Sequence, residues 1–182
     1  FDDFLALEKK NEILLEKANA FKKTSLFMQK AKANPVPFQP VNLGDKINTI
    51  HGEYLPSITA DESVLIYTRR IGNQEDFYSS KKVNGVWQAG EALAEINTDD
   101  NEGAQSISAD GKLLVFTACN RKDGYGSCDI YFSEMINGRW TKVANIGNAI
   151  NSAAGDKQPS LSADGNTLYF ASERSGGFGE TD

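Results

Sequence analysis

"QPSLSADGNTLYFASE", residues 158–173, is the last of three appearances of one pattern. Pro56-Ser57-Ile58-Thr59-Ala60-Asp61 is followed by "ESVLIYTRR". Gln105-Ser106-Ile107-Ser108-Ala109-Asp110 is followed by "GKLLVFTAC". Pro159-Ser160-Leu161-Ser162-Ala163-Asp164 is followed by "GNTLYFASE". The three aspartates stand 49 and 54 residues apart. A fixed period of this size is the signature of a repeat architecture.

Other landmarks keep the same step. Asp76-Phe77-Tyr78-Ser79 matches Asp129-Ile130-Tyr131-Phe132-Ser133, and Val83-Asn84-Gly85-Val86-Trp87 matches Ile136-Asn137-Gly138-Arg139-Trp140, each 53 residues on. "LGDKINT" from Leu43 recurs as "ALAEINT" from Ala92 and "IGNAINS" from Ile146. Each repeat therefore predicts four short antiparallel strands. "PSLS" forms the first. An Asp-Gly or Asp-Glu turn leads to an apolar second strand such as Leu113–Thr117. "DIYFS" is the third, and an Asn-Gly hairpin gives the fourth, around Trp140. Asn-Gly suits a two-residue hairpin because both residues accept positive φ. A four-stranded unit of about 50 residues is the size of one β-propeller blade.

The expected fold is mainly β with an α segment in front. Residues 1–34 are expected to be helical, and residues 35–182 to form a partial propeller. Its blades run over approximately 41–92, 93–145 and an incomplete 146–182. Asp182 aligns with Asp129 and Asp76, which open the third strand. Two and a half blades do not close a ring and expose a strand edge, so the sequence is expected to be a piece of a longer polypeptide. In front, Leu7, Leu14, Phe21 and Met28 recur every seven residues in a stretch without Gly or Pro. That stripe predicts one helix, or two with a break near Thr24-Ser25, ended by Asn34-Pro35.

Among 182 residues the net charge is −6. An acidic chain is not built to neutralise phosphates, so no nucleic-acid partner is expected. No apolar run approaches the roughly 20 residues of a membrane helix. Catalysis has little support: His51 is the only histidine, and no nucleophile elbow, paired metal-ligand histidines or cofactor motif is present.

"INTDDNEGAQSISADGKLLVFTACNRKDGYGSCDIY" and "QPSLSADGNTLYFASERSGGFG" resemble the TolB-type, WD-like propeller repeats of Bacteroidetes envelope proteins. In that family tetratricopeptide helices precede the propeller and an OmpA-like peptidoglycan-binding domain often follows it. PorE-like components of the type IX secretion system are of this kind. Glu180-Thr181 departs from the family's usual residues after Phe178-Gly179. The resemblance implies a periplasmic, outer-membrane-associated scaffold that binds other envelope proteins. Peptidoglycan would be reached only through a domain absent from this chain. The rival expectation is the accessory propeller of an envelope enzyme, such as a peptidase gate, or a glycan-binding module.

Cys119 and Cys128 flank one loop, so a disulfide suited to an oxidising compartment is expected, with free structural thiols as the alternative. Arg69, Arg70, Arg121 and Arg174 recur between the second and third strands. They can line an anion-binding rim, or pair with Asp76, Asp129 and Asp182; the pairing is the favoured expectation. The segments that join blades carry His51, Glu53, Asp99, Asp100, Glu102 and Asp156. They form the first-choice partner surface, because propeller loops commonly bind partners. Asp99, Asp100 and Glu102 also raise Ca²⁺, though their spacing fits no calcium loop. Trp87 and Trp140 are expected to pack within the blades.

Overall fold

The computed structural model describes residues 1–182, which divide into two compact units, Phe1–Val41 and Asn42–Asp182. The expected boundary at 34/35 marks the end of the second helix, and the β unit starts seven residues later.

The first unit holds α1 (Asp2–Leu7) and α2 (Glu12–Ala33). The break lies at residues 8–11 and not at Thr24-Ser25, which sit inside α2. Asn11 explains the difference: its side chain accepts the Leu14 N–H at 3.1 Å and caps α2. Glu8 accepts the N–H groups of Lys10 and Asn11 in the connection. Phe1 stacks on Phe21 and Lys22 pairs with Asp2. Leu7, Leu14, Phe21 and Met28 remain exposed, and only Ala18 in α2 is buried. No helix is long and apolar enough to cross a membrane.

The second unit is antiparallel β throughout. In the first repeat β1 (Gly52–Ile58), β2 (Val64–Ile71) and β3 (Gln74–Val83) lie side by side, and the fourth position is split between β4 (Val86–Trp87) and β5 (Glu91–Ala92), both on β3. The second repeat copies this with β6 (Glu102–Ile107), β7 (Leu113–Cys119), β8 (Cys128–Ile136), β9 (Arg139–Trp140) and β10 (Ala144–Asn145). The third contributes β11 (Asp156–Leu161) and β12 (Leu168–Ser172). Ser172 and Asp182 then exchange backbone hydrogen bonds at 2.7 and 3.0 Å. Asp182 thus takes the place opposite β12 that Asp129 takes opposite Ala118 and Asp76 opposite Arg69.

Most polar residues of the repeated signature have a structural task. The second hydroxyl of the motif, on Thr59, Ser108 or Ser162, donates to the aspartate two residues on at 2.6–2.7 Å. The same oxygen accepts the N–H of Val64 or Leu113, which open β2 and β7, or of Thr167 just before β12. The aspartate accepts one more turn N–H, so the turn is closed by side chains. These hydrogen bonds hold the Asp61 carboxyl down to about 2 and place Asp110 and Asp164 below the usual carboxylate range. The first serine stitches repeats together: Ser57 Oγ accepts the Ile107 N–H at 2.9 Å and Ser106 Oγ the Leu161 N–H at 3.1 Å. Gln105 adds a buried bridge, donating to the Leu55 and Ile66 carbonyls and accepting from Thr68.

Apolar packing follows the same seam. Ile66 and Phe77 of the first repeat meet Ile107, Leu114, Phe116 and Tyr131 of the second in one buried cluster. Phe77 packs edge-on to Phe116 at 5.2 Å between ring centres. The two tryptophans pack against the cores of their own sheets.

Candidate functional site

At one end of the sheets each repeat builds the same latch, buried in the first two and half-exposed at its arginine in the third. Thr49, Thr98 and Ser152 each give both a backbone N–H and a hydroxyl to a carboxylate four residues on, namely Glu53, Glu102 and Asp156. An arginine closes each latch: Arg69 to Glu53 at 2.8 Å, Arg121 to Glu102 at 2.7 Å and Arg174 to Asp156 at 2.7 Å. The same guanidinium donates to the carbonyl of Ile47, Ile96 or Ile150, two residues before the hydroxyl. Glu102 and Asp156 are wholly buried. Burial alone would raise the Glu53 and Asp156 carboxyls, but the hydroxyl, amide and guanidinium donors outweigh it and hold both low.

These latches correct two expectations. Arg69, Arg121 and Arg174 pair with the acid that opens the first strand and not with Asp76, Asp129 and Asp182. Those three aspartates are otherwise engaged, Asp129 accepting the Tyr125 and Gly126 N–H groups of its loop and Asp182 the Gly179 N–H. Glu53, Glu102 and Asp156 consequently leave the partner surface, since a buried, paired carboxylate cannot meet a ligand. Arg70 stays outside, donating to the Gly72 carbonyl. His51 is exposed, and only its backbone N–H is engaged, with Thr49. Glu102 is withdrawn from Asp99 and Asp100, so the three carboxylates do not converge on a cation position.

Cys119 and Cys128 are joined as a disulfide across a direct register pair of β7 and β8. It closes the loop that carries Arg121. Gly126 lets that loop lie against the segment joining β10 to β11, because a Cβ there would sit 1.8 Å from the Ala154 carbonyl oxygen. Arg121 Nε and Asp129 Oδ1 are buried in this region without a hydrogen-bond partner.

The latched loop of the second repeat and the turn between β2 and β3 border a cleft of about 780 Å³. Its floor is made by the first strands at the same point in each repeat: Leu55, Ala104 and Gln158 take φ of 49°, 50° and 53° at matching irregularities in β1, β6 and β11. Its walls carry Asp99, Asp100, Asn101, Glu75, Asn120 and Lys157. Gln74 donates to the Thr98 and Asp100 carbonyls and Asn101 accepts the Glu75 N–H, so the joining loop is fixed to β3. Asp99 and Asp100 thus stand on a braced loop, with carboxylates that enter no salt bridge. They are the members of the expected partner surface that the fold leaves available beside this open cleft. Asn101 and Asn120 escaped the sequence reading because neither lies on a repeated landmark.

No protein-family profile matches the chain, and no curated protein matches it. Solved structures do. TolB from Agrobacterium tumefaciens is similar over 73% of this chain and 43% of its own, with 21% identity and a TM-score of 0.54. TolB from Acinetobacter baumannii is similar over 68% of this chain and 27% of its own, with 20% identity and a TM-score of 0.49. The likeness to the Agrobacterium protein defines the β unit as a TolB-like, propeller-type fold. The chain spans less than half the length of either TolB.

Proposed function

We propose that the chain is a non-catalytic protein-binding module, two blades and part of a third of a propeller, in a periplasmic, outer-membrane-associated assembly that serves type IX secretion. The helices of residues 1–34 would then be the end of a tetratricopeptide-like array. The carrying observation is the cleft bordered by Asp99 and Asp100. Asp99 and Asp100 stand on a loop braced by the buried Glu102–Arg121 pair, an arrangement that presents a fixed surface and loses little entropy on binding. Carboxylates and side-chain amides beside bent first strands suit a polypeptide segment with basic side chains. The TolB-like fold supports the reading at the level of architecture.

The test is cross-linked affinity purification of the full polypeptide from envelope, with mass spectrometry, beside an Asp99→Lys/Asp100→Lys variant. The expected result is one or more envelope proteins recovered by the parent and depleted at least tenfold with the variant. Equal recovery by both removes the cleft from the interaction. Recovery of a hydrolase domain on the same polypeptide favours the accessory-propeller reading instead.

A further inference from the structure

Asparagine in the Ile-Asn-Thr/Ser motif does something its neighbours do not. Asn97 lays its side-chain amide against the peptide group of Phe77, accepting the N–H at 2.9 Å and donating to the carbonyl at 2.9 Å. Asn151 does the same to Ile130, at 2.8 and 2.9 Å. Phe77 and Ile130 occupy one position, directly after the aspartate that opens the third strand. Each amide therefore copies a strand partner for the repeat before it and ties a repeat to its predecessor.

Asn48 is the third member of the set. Its backbone is held as in the others, with the N–H on the Gly44 carbonyl at 2.8 Å, as Asn97 is on Leu93 and Asn151 on Gly147. The neighbouring Thr49–Glu53–Arg69 latch is complete. Yet the Asn48 side chain is exposed and makes no hydrogen bond. The flank beside it is open as well. Ile107, which the first repeat covers, is 6% exposed, while its counterpart Ile58 is 46% exposed.

We propose that Asn48 is a blade-docking residue. Its amide pairs with the peptide group after the opening aspartate in the third strand of a further blade, and that blade covers Ile58. The occupant is a four-stranded blade of this repeat type, with an Asp-apolar-Tyr third strand. A second copy of this chain does not qualify, because its two such peptide groups, at Phe77 and Ile130, are already taken by Asn97 and Asn151. A merely apolar partner does not qualify either, since it offers the amide no donor and acceptor side by side.

The repeat itself supplies the test. A copy of residues 93–144 is inserted between Val41 and Asn42. The junction keeps native spacing, because Asn42 accepts the Gly44 N–H at 2.8 Å as Asn145 accepts that of Gly147 at 2.8 Å. Urea unfolding and amide exchange are measured with Asn48 and with Asn48→Ala, in the native and the extended chain. In the extended chain Asn48→Ala should lower the folding equilibrium constant by about tenfold, the scale of a lost pair of buried hydrogen bonds, and deprotect the inserted counterpart of the Ile130 amide. In the native chain it should do neither, whereas Asn97→Ala should destabilise the native chain about as much. The proposal fails if Asn48→Ala is silent in the extended chain. It fails equally if the inserted blade exchanges at random-coil rates. A native-chain dimer abolished by Asn48→Ala, seen by sedimentation, would hand the surface to a second copy and overturn it.

Discussion

Glu62 sits in the left-handed region, at φ 56°, where the other two repeats place Gly111 and Gly165 at φ 72°. The turn geometry is common to all three, because Thr59, Ser108 and Ser162 make the same closure with the following aspartate. The first repeat therefore forces an L-side chain into a conformation that costs it roughly 1 kcal/mol. The Glu62 carboxylate offsets little of this, since its pair with Lys82 is 67% exposed on the glutamate side and such pairs contribute about 0–1 kcal/mol. Glu62→Gly should raise stability by about 0.5–1 kcal/mol, read as a higher urea midpoint with an unchanged slope. Gly111→Glu should move the midpoint the other way, helped by the Thr59 methyl 3.0 Å from its would-be Cβ. A Glu62→Gly midpoint below that of the parent would show that the turn is not strained.

The first strand of each repeat and the loop before it form one element, and its latch decides whether that element keeps its place. In the second repeat Glu102 is wholly buried and the Arg121 side chain is 13% exposed. Removing one partner strands the other's charge, at a cost of about 3–5 kcal/mol for a buried pair. Glu102→Ala should fall near the lower end, because Arg121 retains some solvent and its hydrogen bond to the Ile96 carbonyl. Lys82→Ala, which breaks an exposed pair, should cost below about 1 kcal/mol. Equal midpoint losses in the two variants would deny the latch its importance. At this scale the strand order was legible in advance: Asn84-Gly85 and Asn137-Gly138, with φ between 50° and 78°, are the hairpin turns that the dipeptides announce. The latch was not. Its partners are 16 to 19 residues apart, and the arginine comes from β2 itself in the first repeat but from the following loop in the others. Period matching therefore pointed to the wrong aspartates. Asn11 was missed for a related reason: a cap is a local geometric event, and heptad spacing does not register it.

Over the whole β unit, the same carboxylates that close the turns and latches make stability depend on pH in one direction. Asp61 lies near 2 in the folded chain, and Asp110, Asp164, Glu53 and Asp156 are all held below their ordinary values. A group depressed on folding binds fewer protons in the native state, so its contribution is complete above its unfolded value of about 4 and is lost as pH falls. Charge balance reinforces this. At pH 7 the chain is at −6, but once its 25 Asp and Glu are neutral its 19 Lys and Arg stand unopposed. The urea midpoint should therefore be nearly flat from pH 7 to 5, then fall from about pH 4.5 to 2. Asp61→Asn/Asp110→Asn/Asp164→Asn should start from a lower midpoint at pH 7 and lose less on acidification, because the turn asparagines accept the same N–H groups without titrating. A parent midpoint that holds to pH 2, or a triple variant that falls as steeply as the parent, would break the link between these turns and acid sensitivity.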